Sequence, residues 1–321
     1  MTAGTTCGSG SSSVSRRRGG GAEAAEGPLG GSIPQAFWRR IAAPTTIWLL
    51  LFFVVPFYVV VSVAFGTVDP VFRSPVPVWQ PWWWTSVHMG DTLAKVTGPF
   101  APTYLRTLGY VAVASALCLL IGYPVAYYVA RYGGRRRGLL LVLLISPFWI
   151  SYLMRMVAWR NLLFTDGYVN RLLEAFGLAG YPWLDGRSIT VILGLVYGYI
   201  PYMILPLFAF LDRIDPRLLE AGRDLGADPR QTFLRVTLPL SRPAILAGLV
   251  VVALPMFGDY YTNDLLSSSP RTAMIGNVLD NAVNTTGQGP EAASLTLVLL
   301  LLLAVPIGLY VRASARAPGK A

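Results

Sequence analysis

The sequence has few charged residues, two cysteines and one histidine, and these scarcities exclude several classes of function. Only 13% of its 321 residues are charged, against about a quarter in an ordinary soluble domain, while 54% are hydrophobic. Cys7 lies in a Gly/Ser-rich segment and Cys118 inside an apolar run, so neither a disulfide framework nor a cysteine metal site is predicted. His88 has no companion that would complete a metal site. The composition therefore predicts a membrane protein with no metal site and no catalytic residues.

The net charge is +10, which in a soluble protein would suggest nucleic acid as a partner, but here the basic residues flank apolar runs. We therefore expect the lipid bilayer as a partner and no nucleic acid. Residues 1–40 form a basic, Gly/Ser-rich tail whose composition cannot bury a core, so this tail is predicted to be disordered. It does not resemble a signal peptide, because no apolar segment follows Arg16–Arg18 within reach.

Six apolar stretches follow the tail and predict an all-α polytopic membrane protein with six transmembrane helices. The stretches are Ile41–Val68, Thr107–Ala130, Gly138–Met154, Ser188–Leu211, Pro243–Gly258 and Ala292–Val311. A helix needs about 20 residues to cross the hydrocarbon core, so the short third and fifth stretches must include a charge near their ends, Arg155 and Asp259. The transmembrane domain is thus predicted over 41–312, with a short tail over 313–321.

The basic residues of the connections predict the orientation, because Lys and Arg collect on the cytoplasmic side. With the N-terminus inside, the inside segments carry 18 basic residues and the outside connections carry 6. Both termini are therefore predicted to be cytoplasmic in a multi-pass protein of the plasma membrane. The outside connection over 69–103 holds Trp79 and Trp82–Trp84, which we interpret as an aromatic belt at the membrane interface. A docking surface for an external partner is the alternative.

A polar segment between the fourth and fifth stretches, Asp215–Pro239, predicts a cytoplasmic helical hairpin. Asp-Pro pairs at 215–216 and 228–229 each open a helix, because Asp caps free N–H groups and Pro fits the first turn. Gly226 lies between them, where a residue able to adopt a left-handed conformation ends the first helix. Pro239 and Pro243 are expected to stop the second helix before the next apolar run.

This hairpin segment resembles a known signature. It contains Glu220-Ala221-Gly222, three residues, Gly226, nine residues and then Val236-Thr237-Leu238-Pro239. The pattern resembles the EAA signature of the permease subunits of ABC importers, which is E-A-A, three residues, G, nine residues and I-x-L-P. The spacing matches in full, and Gly222 and Val236 are mild departures. A hairpin that merely joins two spans is the alternative interpretation.

Residues 40–312 further resemble permeases of spermidine/putrescine-type ABC importers. The matching phrases are Gly122–Tyr127, Pro147–Trp149, Arg155 with Ala158-Trp159, Leu219–Ala221, Asp224–Ala227, Gly258–Tyr260 and Asp264–Leu266. Ser267-Ser268 departs from the Gly-Gly that the family usually has there. Relatives in the wider family carry other substrates, so another small organic solute stays open.

The resemblance implies a type I ABC importer permease fold, with the hairpin between helices 4 and 5. It implies a pore made with a second permease subunit, similar or identical, an ATP-binding subunit dimer beneath, and an extracytoplasmic solute-binding protein. Because the chain has no G-x-x-x-x-G-K-[ST] loop, ATP and Mg are expected on the partner ATPase, and the chain is not expected to be an enzyme. The expected ATPase-coupling residues are Glu220, Ala221, Gly222, Asp224, Gly226 and Pro239.

A candidate substrate path is predicted from charges near span ends, since charges in spans are costly and suggest function. It consists of Arg155, Trp159, Asp259, Tyr260 and Tyr261. A carboxylate with aromatic faces suits an ammonium group, whereas Arg155 argues against a purely cation-attracting path. The alternative is that Arg155 and Asp259 mark helix ends or pair with each other.

Two other classes of function compete with the importer permease. An ion-coupled secondary transporter would be expected to show paired repeats and carboxylates near the middle of the membrane. Neither feature is clear in this sequence. A membrane-embedded enzyme has less support, because the apolar stretches contain no paired acids and the chain has no H-E-x-x-H motif.

Overall fold

The computed structural model describes residues 35–316, which fold almost entirely into helices. The chain divides into two units, Met1–Val55 and Pro56–Ala321, and the first helix crosses the division. The helices are α1 (Gln35–Ala64), α2 (Val87–Thr97), α3 (Ala101–Tyr132), α4 (Arg137–Ile145), α5 (Tyr152–Leu163), α6 (Tyr168–Ala175), α7 (Ser188–Leu211), α8 (Pro216–Asp224), α9 (Pro229–Thr232), α10 (Leu238–Leu240), α11 (Arg242–Phe257), α12 (Tyr261–Leu266), α13 (Ile275–Asn284) and α14 (Gly289–Arg316). Most of the tail predicted over 1–40 lies outside the described residues, as does the end of the tail predicted over 313–321.

The core of the second unit is built by α3, α7 and α11, which pack on one another, with α14 against α11. Met203 of α7 is fully buried at their centre. A Cβ added to Gly122 of α3 would lie 3.2 Å from Cγ of Met203, and one added to Gly248 of α11 would lie 2.7 Å from its sulfur. The two glycines therefore let three helices approach around one flexible side chain.

Four helical segments are long and apolar enough to cross a membrane: Ile41–Ala64, Ala101–Tyr132, Ser188–Leu211 and Gly289–Arg312. Two bent helix pairs would each add one span if the pair counts as a single crossing. The described part of the chain thus contains four to six candidate spans. The helices that correspond to the first and second predicted spans are α1 and α3, and their bounds differ from the prediction. The helix α1 ends four residues before Val68, and α3 begins six residues before Thr107.

The prediction of the third span as one straight helix, Gly138–Met154, is wrong. The helix α4 ends at Ile145, a 3₁₀ turn follows over Ser146–Trp149, and the next segment turns away by 84°. Pro147 lies in that turn, where its missing N–H and fixed φ interrupt an α-helix. Arg155 follows this bend and consequently does not lie at the end of a straight third span.

The hairpin segment lies between α7 and α11 and comprises α8, α9, a π-helical turn over Phe233–Thr237, and α10. Both predicted caps form: Asp215 Oδ1 accepts from the backbone N–H of Arg217 at 2.9 Å, and Asp228 Oδ1 from that of Gln231 at 2.6 Å. Gly226 has φ +83°. The second helix runs through Pro239 to Leu240 and the chain turns by 61° before α11, so this helix ends between Pro239 and Pro243, before the next apolar run, as predicted.

The Trp-rich connection between α1 and α3 contains a two-stranded antiparallel ribbon, β1 (Thr67–Val68) with β2 (Pro75–Val76), and then α2. Trp84 packs inward: its ring stacks on Phe65 at 4.9 Å, and its Nε1 donates to the carbonyl of Val78 at 2.9 Å. Trp82 and Trp83 are 83% and 71% exposed. The connection is therefore ordered around Trp84 and exposes the rings of Trp82 and Trp83 at its surface.

Candidate functional site

A cavity of about 570 Å³ lies where α5, α7 and the end of α11 meet α12. Its lining brings together residues that are far apart in the chain. The polar and aromatic ones are Tyr152, Arg155, Tyr199, Tyr202, Asp259, Tyr260 and Tyr261. Four of the five residues predicted for the substrate path, Arg155, Asp259, Tyr260 and Tyr261, therefore face one cavity.

The Asp259 carboxylate is the polar centre of this cavity and is 6% exposed. Its Oδ2 accepts from the hydroxyls of Tyr152 at 2.8 Å, Tyr199 at 3.0 Å and Thr262 at 2.8 Å. Its Oδ1 accepts from the backbone N–H of Thr262 at 2.9 Å. Donors from α5, α7 and α12 thus converge on one carboxylate, which ties three helices together at this end of the bundle.

Arg155 lies in the same cavity but does not pair with Asp259. Its Nε donates to the carbonyl of Ile150 at 3.2 Å, and its guanidinium carbon lies 4.5 Å from the ring centroid of Phe148 and 5.5 Å from that of Tyr152. Among the described residues the salt bridges are Lys95–Glu291 and Arg137–Asp212. Among the side chains that the structure describes, those of residues 41–308 and 310–312, no cationic group therefore forms an ion pair with the Asp259 carboxylate.

Trp159 is the predicted path residue that the structure places elsewhere. It lines a separate apolar cavity of about 400 Å³ against α7, and its ring lies 5.2 Å from Tyr197 in an edge-on arrangement. Trp159 lies about one helical turn beyond Arg155 on α5, where it contacts Tyr197 and not the residues around Asp259.

Three tyrosines that line the cavity, Tyr152, Tyr199 and Tyr202, were not selected from the sequence. The last two are spaced by three residues on α7, so they share a helix face, and this spacing was the available signal. Gly198 also lines the cavity, and a Cβ there would lie 2.8 Å from Cε2 of Tyr152. This glycine makes room for the ring that reaches Asp259.

The segment after Asp259 contains two side chains whose pKa values are raised, Tyr260 and Asp264. A hydrogen bond with Tyr261 raises the pKa of Tyr260 to about 12, so this phenol is neutral at physiological pH. Burial, reinforced by the nearby charge of Asp280, raises the pKa of Asp264 above its usual range. Asn277 holds both, donating to the carbonyl of Tyr260 at 3.0 Å and to Oδ1 of Asp264 at 2.7 Å.

The predicted coupling residues lie on the hairpin. Glu220, Ala221 and Asp224 are exposed on α8, and Gly226 is exposed in the turn. The remaining two predicted coupling residues are half-buried. Gly222 lies against Thr232 of α9, and Pro239 lies in α10. The neighbouring Leu225 is 89% exposed, which leaves an apolar side chain of the turn without cover in this chain.

Helices long enough to cross a membrane, a cavity between them and an exposed polar hairpin define a polytopic membrane transport protein. The chain matches the family model described as "Binding-protein-dependent transport system inner membrane component" over residues 118–317. It belongs to this family. The chain is therefore a membrane component of a transport system and not an enzyme, and the family does not favour an ion-coupled secondary transporter.

Named relatives and solved structures agree with this family. The chain is 35% identical over 287 residues to the spermidine/putrescine transport system permease protein PotB of Haemophilus influenzae, covering 88% of this chain and 96% of the relative. It is 34% identical to PotB of Escherichia coli, covering 83% and 94%. A bacterial alginate ABC transporter, solved in complex with an alginate pentasaccharide-bound periplasmic protein, matches with a TM-score of 0.65 at 20% identity, covering 88% and 95%. This likeness shows that the two chains share a fold.

Proposed function

We propose that this chain forms the pore of an ATP-driven importer for a polyamine of the spermidine/putrescine class. The names of the relatives support this substrate, and the cavity around Asp259 supports it independently. A carboxylate without a cationic partner, surrounded by tyrosine rings, attracts an organic ammonium group through charge and through the ring faces.

Arg155 carries a positive charge in the same cavity but does not form an ion pair with Asp259. The guanidinium rests over Phe148, and its Nε is committed to a backbone carbonyl. Its position on a ring face is itself a cation–π contact of the kind proposed for the solute. The second candidate is an organic solute that carries an anionic group, because Arg155 in the same cavity would attract that group.

The proposal includes the partners that the chain itself does not supply. A second permease subunit, similar or identical, completes the pore, and two ATP-binding subunits carry ATP and Mg. A solute-binding protein delivers the polyamine on the opposite face. The hairpin, with Glu220 and Gly226 exposed, lies in a groove of the ATPase and moves when the ATPase pair closes. Six spans are proposed, each bent pair being one span, with the hairpin between helices 4 and 5.

The substrate assignment is tested by uptake in proteoliposomes that contain the whole complex. Labelled spermidine is expected to accumulate only with ATP, and unlabelled putrescine is expected to compete, whereas an alginate oligosaccharide is not. Accumulation of an anionic solute without competition by either polyamine would overturn the polyamine assignment and leave the family membership intact.

The proposed orientation places both termini and the hairpin in the cytoplasm. Single cysteines at Arg136 and Ser268, in a background lacking Cys7 and Cys118, are expected to differ in labelling by an impermeant thiol reagent on whole cells. The reagent should modify position 268 and not 136, because basic residues collect on the cytoplasmic side. Permeabilised cells, in which position 136 should also react, are the control. The opposite labelling would invert the topology.

A further inference from the structure

We propose that Phe233 is the residue through which movement of the hairpin reaches α3. The ring of Phe233 lies in a clasp formed by Tyr123 and Tyr127, and we name these three residues the aromatic clasp. The inference rests on the proposed coupling role of the hairpin. It assigns a positioning function to the segment Gly122–Tyr127, whose residues do not line the cavity around Asp259.

The clasp joins two elements that are distant in sequence. Tyr123 and Tyr127 are four residues apart on α3, so their side chains lie on one face of that helix. The Phe233 centroid lies 5.8 Å from that of Tyr123 and 5.5 Å from that of Tyr127, with interplanar angles of 83° and 85°. Both contacts are edge-to-face, the geometry in which ring quadrupoles attract, so Phe233 is held from two sides.

A hydrogen-bond chain fixes a second point of the same segment. The Ser241 hydroxyl donates to the carbonyl of Leu238 at 3.0 Å, and the Tyr123 hydroxyl lies 2.9 Å from the Ser241 oxygen, to which it donates. Tyr123 therefore binds the hairpin at both ends of the stretch from Phe233 to Ser241. The residues between include the π-helical turn, and such turns are frequent at functional sites.

The remaining contacts define a route from the exposed surface to the bundle. The exposed helix α8 packs on α9 and on the π-helical turn, with Gly222 against Thr232, and the π-helical turn begins at Phe233. On the other side of the hairpin, Arg131 of α3 donates to the carbonyl of Ile214 at 3.1 Å. A movement of α8 would thus be transmitted to α3 by the aromatic clasp. The start of the hairpin would stay in place, because the Ile214 carbonyl is bound by Arg131 of α3.

The test replaces the ring and measures spermidine uptake and ATP hydrolysis in the reconstituted complex. Phe233→Leu keeps an apolar side chain and removes both edge contacts, so uptake per ATP hydrolysed is expected to fall about tenfold. ATP hydrolysis and the amount of assembled complex should stay near wild type. Phe233→Tyr, which keeps the ring, should retain most of the coupling. Phe208→Leu is the matched control, because Phe208 is a half-buried ring of the same apolar cluster that belongs to α7.

A double substitution separates the clasp from general packing. Tyr127→Leu is expected to lower the coupling ratio by itself and to add little in the Phe233→Leu background, since both changes remove one shared contact. An unchanged ratio in Phe233→Leu, or an equal loss in Phe208→Leu, would overturn the proposal. If Gly226→Val still uncouples while Phe233→Leu does not, only the clasp fails. If neither uncouples, the coupling role of the hairpin itself is wrong.

Discussion

Gly226→Val is expected to reduce uptake by at least tenfold while the complex still assembles and hydrolyses ATP. Gly226 has φ +83°, a conformation that a β-branched residue adopts only with strain of about 1–3 kcal/mol. No neighbouring atom lies within 4 Å of the position of an added Cβ, so the change acts through the backbone and not through a clash. The turn would rearrange and displace Glu220 and Leu225 from the surface that we propose faces the ATPase. Uptake and ATP hydrolysis in proteoliposomes are the measurements.

The chain offers a matched control for this substitution. Gly177 follows α6, has φ +76° and also has nothing within 4 Å of an added Cβ, so valine there imposes the same kind of strain. Gly177→Val should leave uptake per ATP unchanged. Gly226→Asn, which tolerates the left-handed region, should retain more activity than Gly226→Val. Glu220→Ala removes an exposed carboxylate without straining the backbone and should uncouple through the lost charge. Wild-type uptake in both Gly226→Val and Glu220→Ala would show that the hairpin does not couple.

The hairpin was predictable from the sequence because its determinants are local. Asp215 and Asp228 reach N–H groups two or three residues away, and Gly226 ends a helix by its own conformation. The second helix ends between Pro239 and Pro243, and it continues one residue past Pro239 because proline is tolerated in the first turn of the short stretch α10.

The bend before α5 was not predictable from composition. The stretch around Pro147 is apolar on both sides, and a broken pair of helices has the same hydropathy as a straight span. After the bend the Arg155 guanidinium lies over Phe148, and Trp159, about one turn further along α5, lines another cavity. Pro147 was present in the sequence as a signal, yet prolines also occur within long helices of this chain, Pro124 in α3 being one.

The candidate site was partly predictable, since Asp259 is a charge at the end of an apolar run. Most of its partners were not, because two of the three hydroxyls that bind it come from residues 107 and 60 positions away in sequence. Only tertiary packing brings Tyr152 and Tyr199 to the carboxylate. The same packing excludes the Arg155–Asp259 pair that the charges alone allowed.

Asp259→Asn is expected to weaken polyamine transport more than any conservative change in the cavity. Asparagine keeps the size of the side chain but removes the charge, and it places an amide N–H₂ among four donors that now converge on the carboxylate. A close contact between a carboxylate and an ammonium at a partly shielded site contributes about 1–3 kcal/mol, so the apparent affinity for spermidine should fall about 5–150-fold. Asp259→Glu keeps the charge and should lose less.

Tyr199→Phe is the matched control for the role of charge in this cavity. It removes one hydrogen bond to Asp259, at 3.0 Å, and keeps both the ring and the carboxylate, so the affinity for spermidine should fall less than in Asp259→Asn. Because Arg155 does not pair with Asp259, neutralising Arg155 should not restore the affinity of Asp259→Asn. The measurement is the concentration dependence of uptake in proteoliposomes at matched amounts of complex. An unchanged affinity in Asp259→Asn would remove this carboxylate from the substrate path, and equal losses in Asp259→Asn and Tyr199→Phe would mean that it acts only by tying α5, α7 and α12 together.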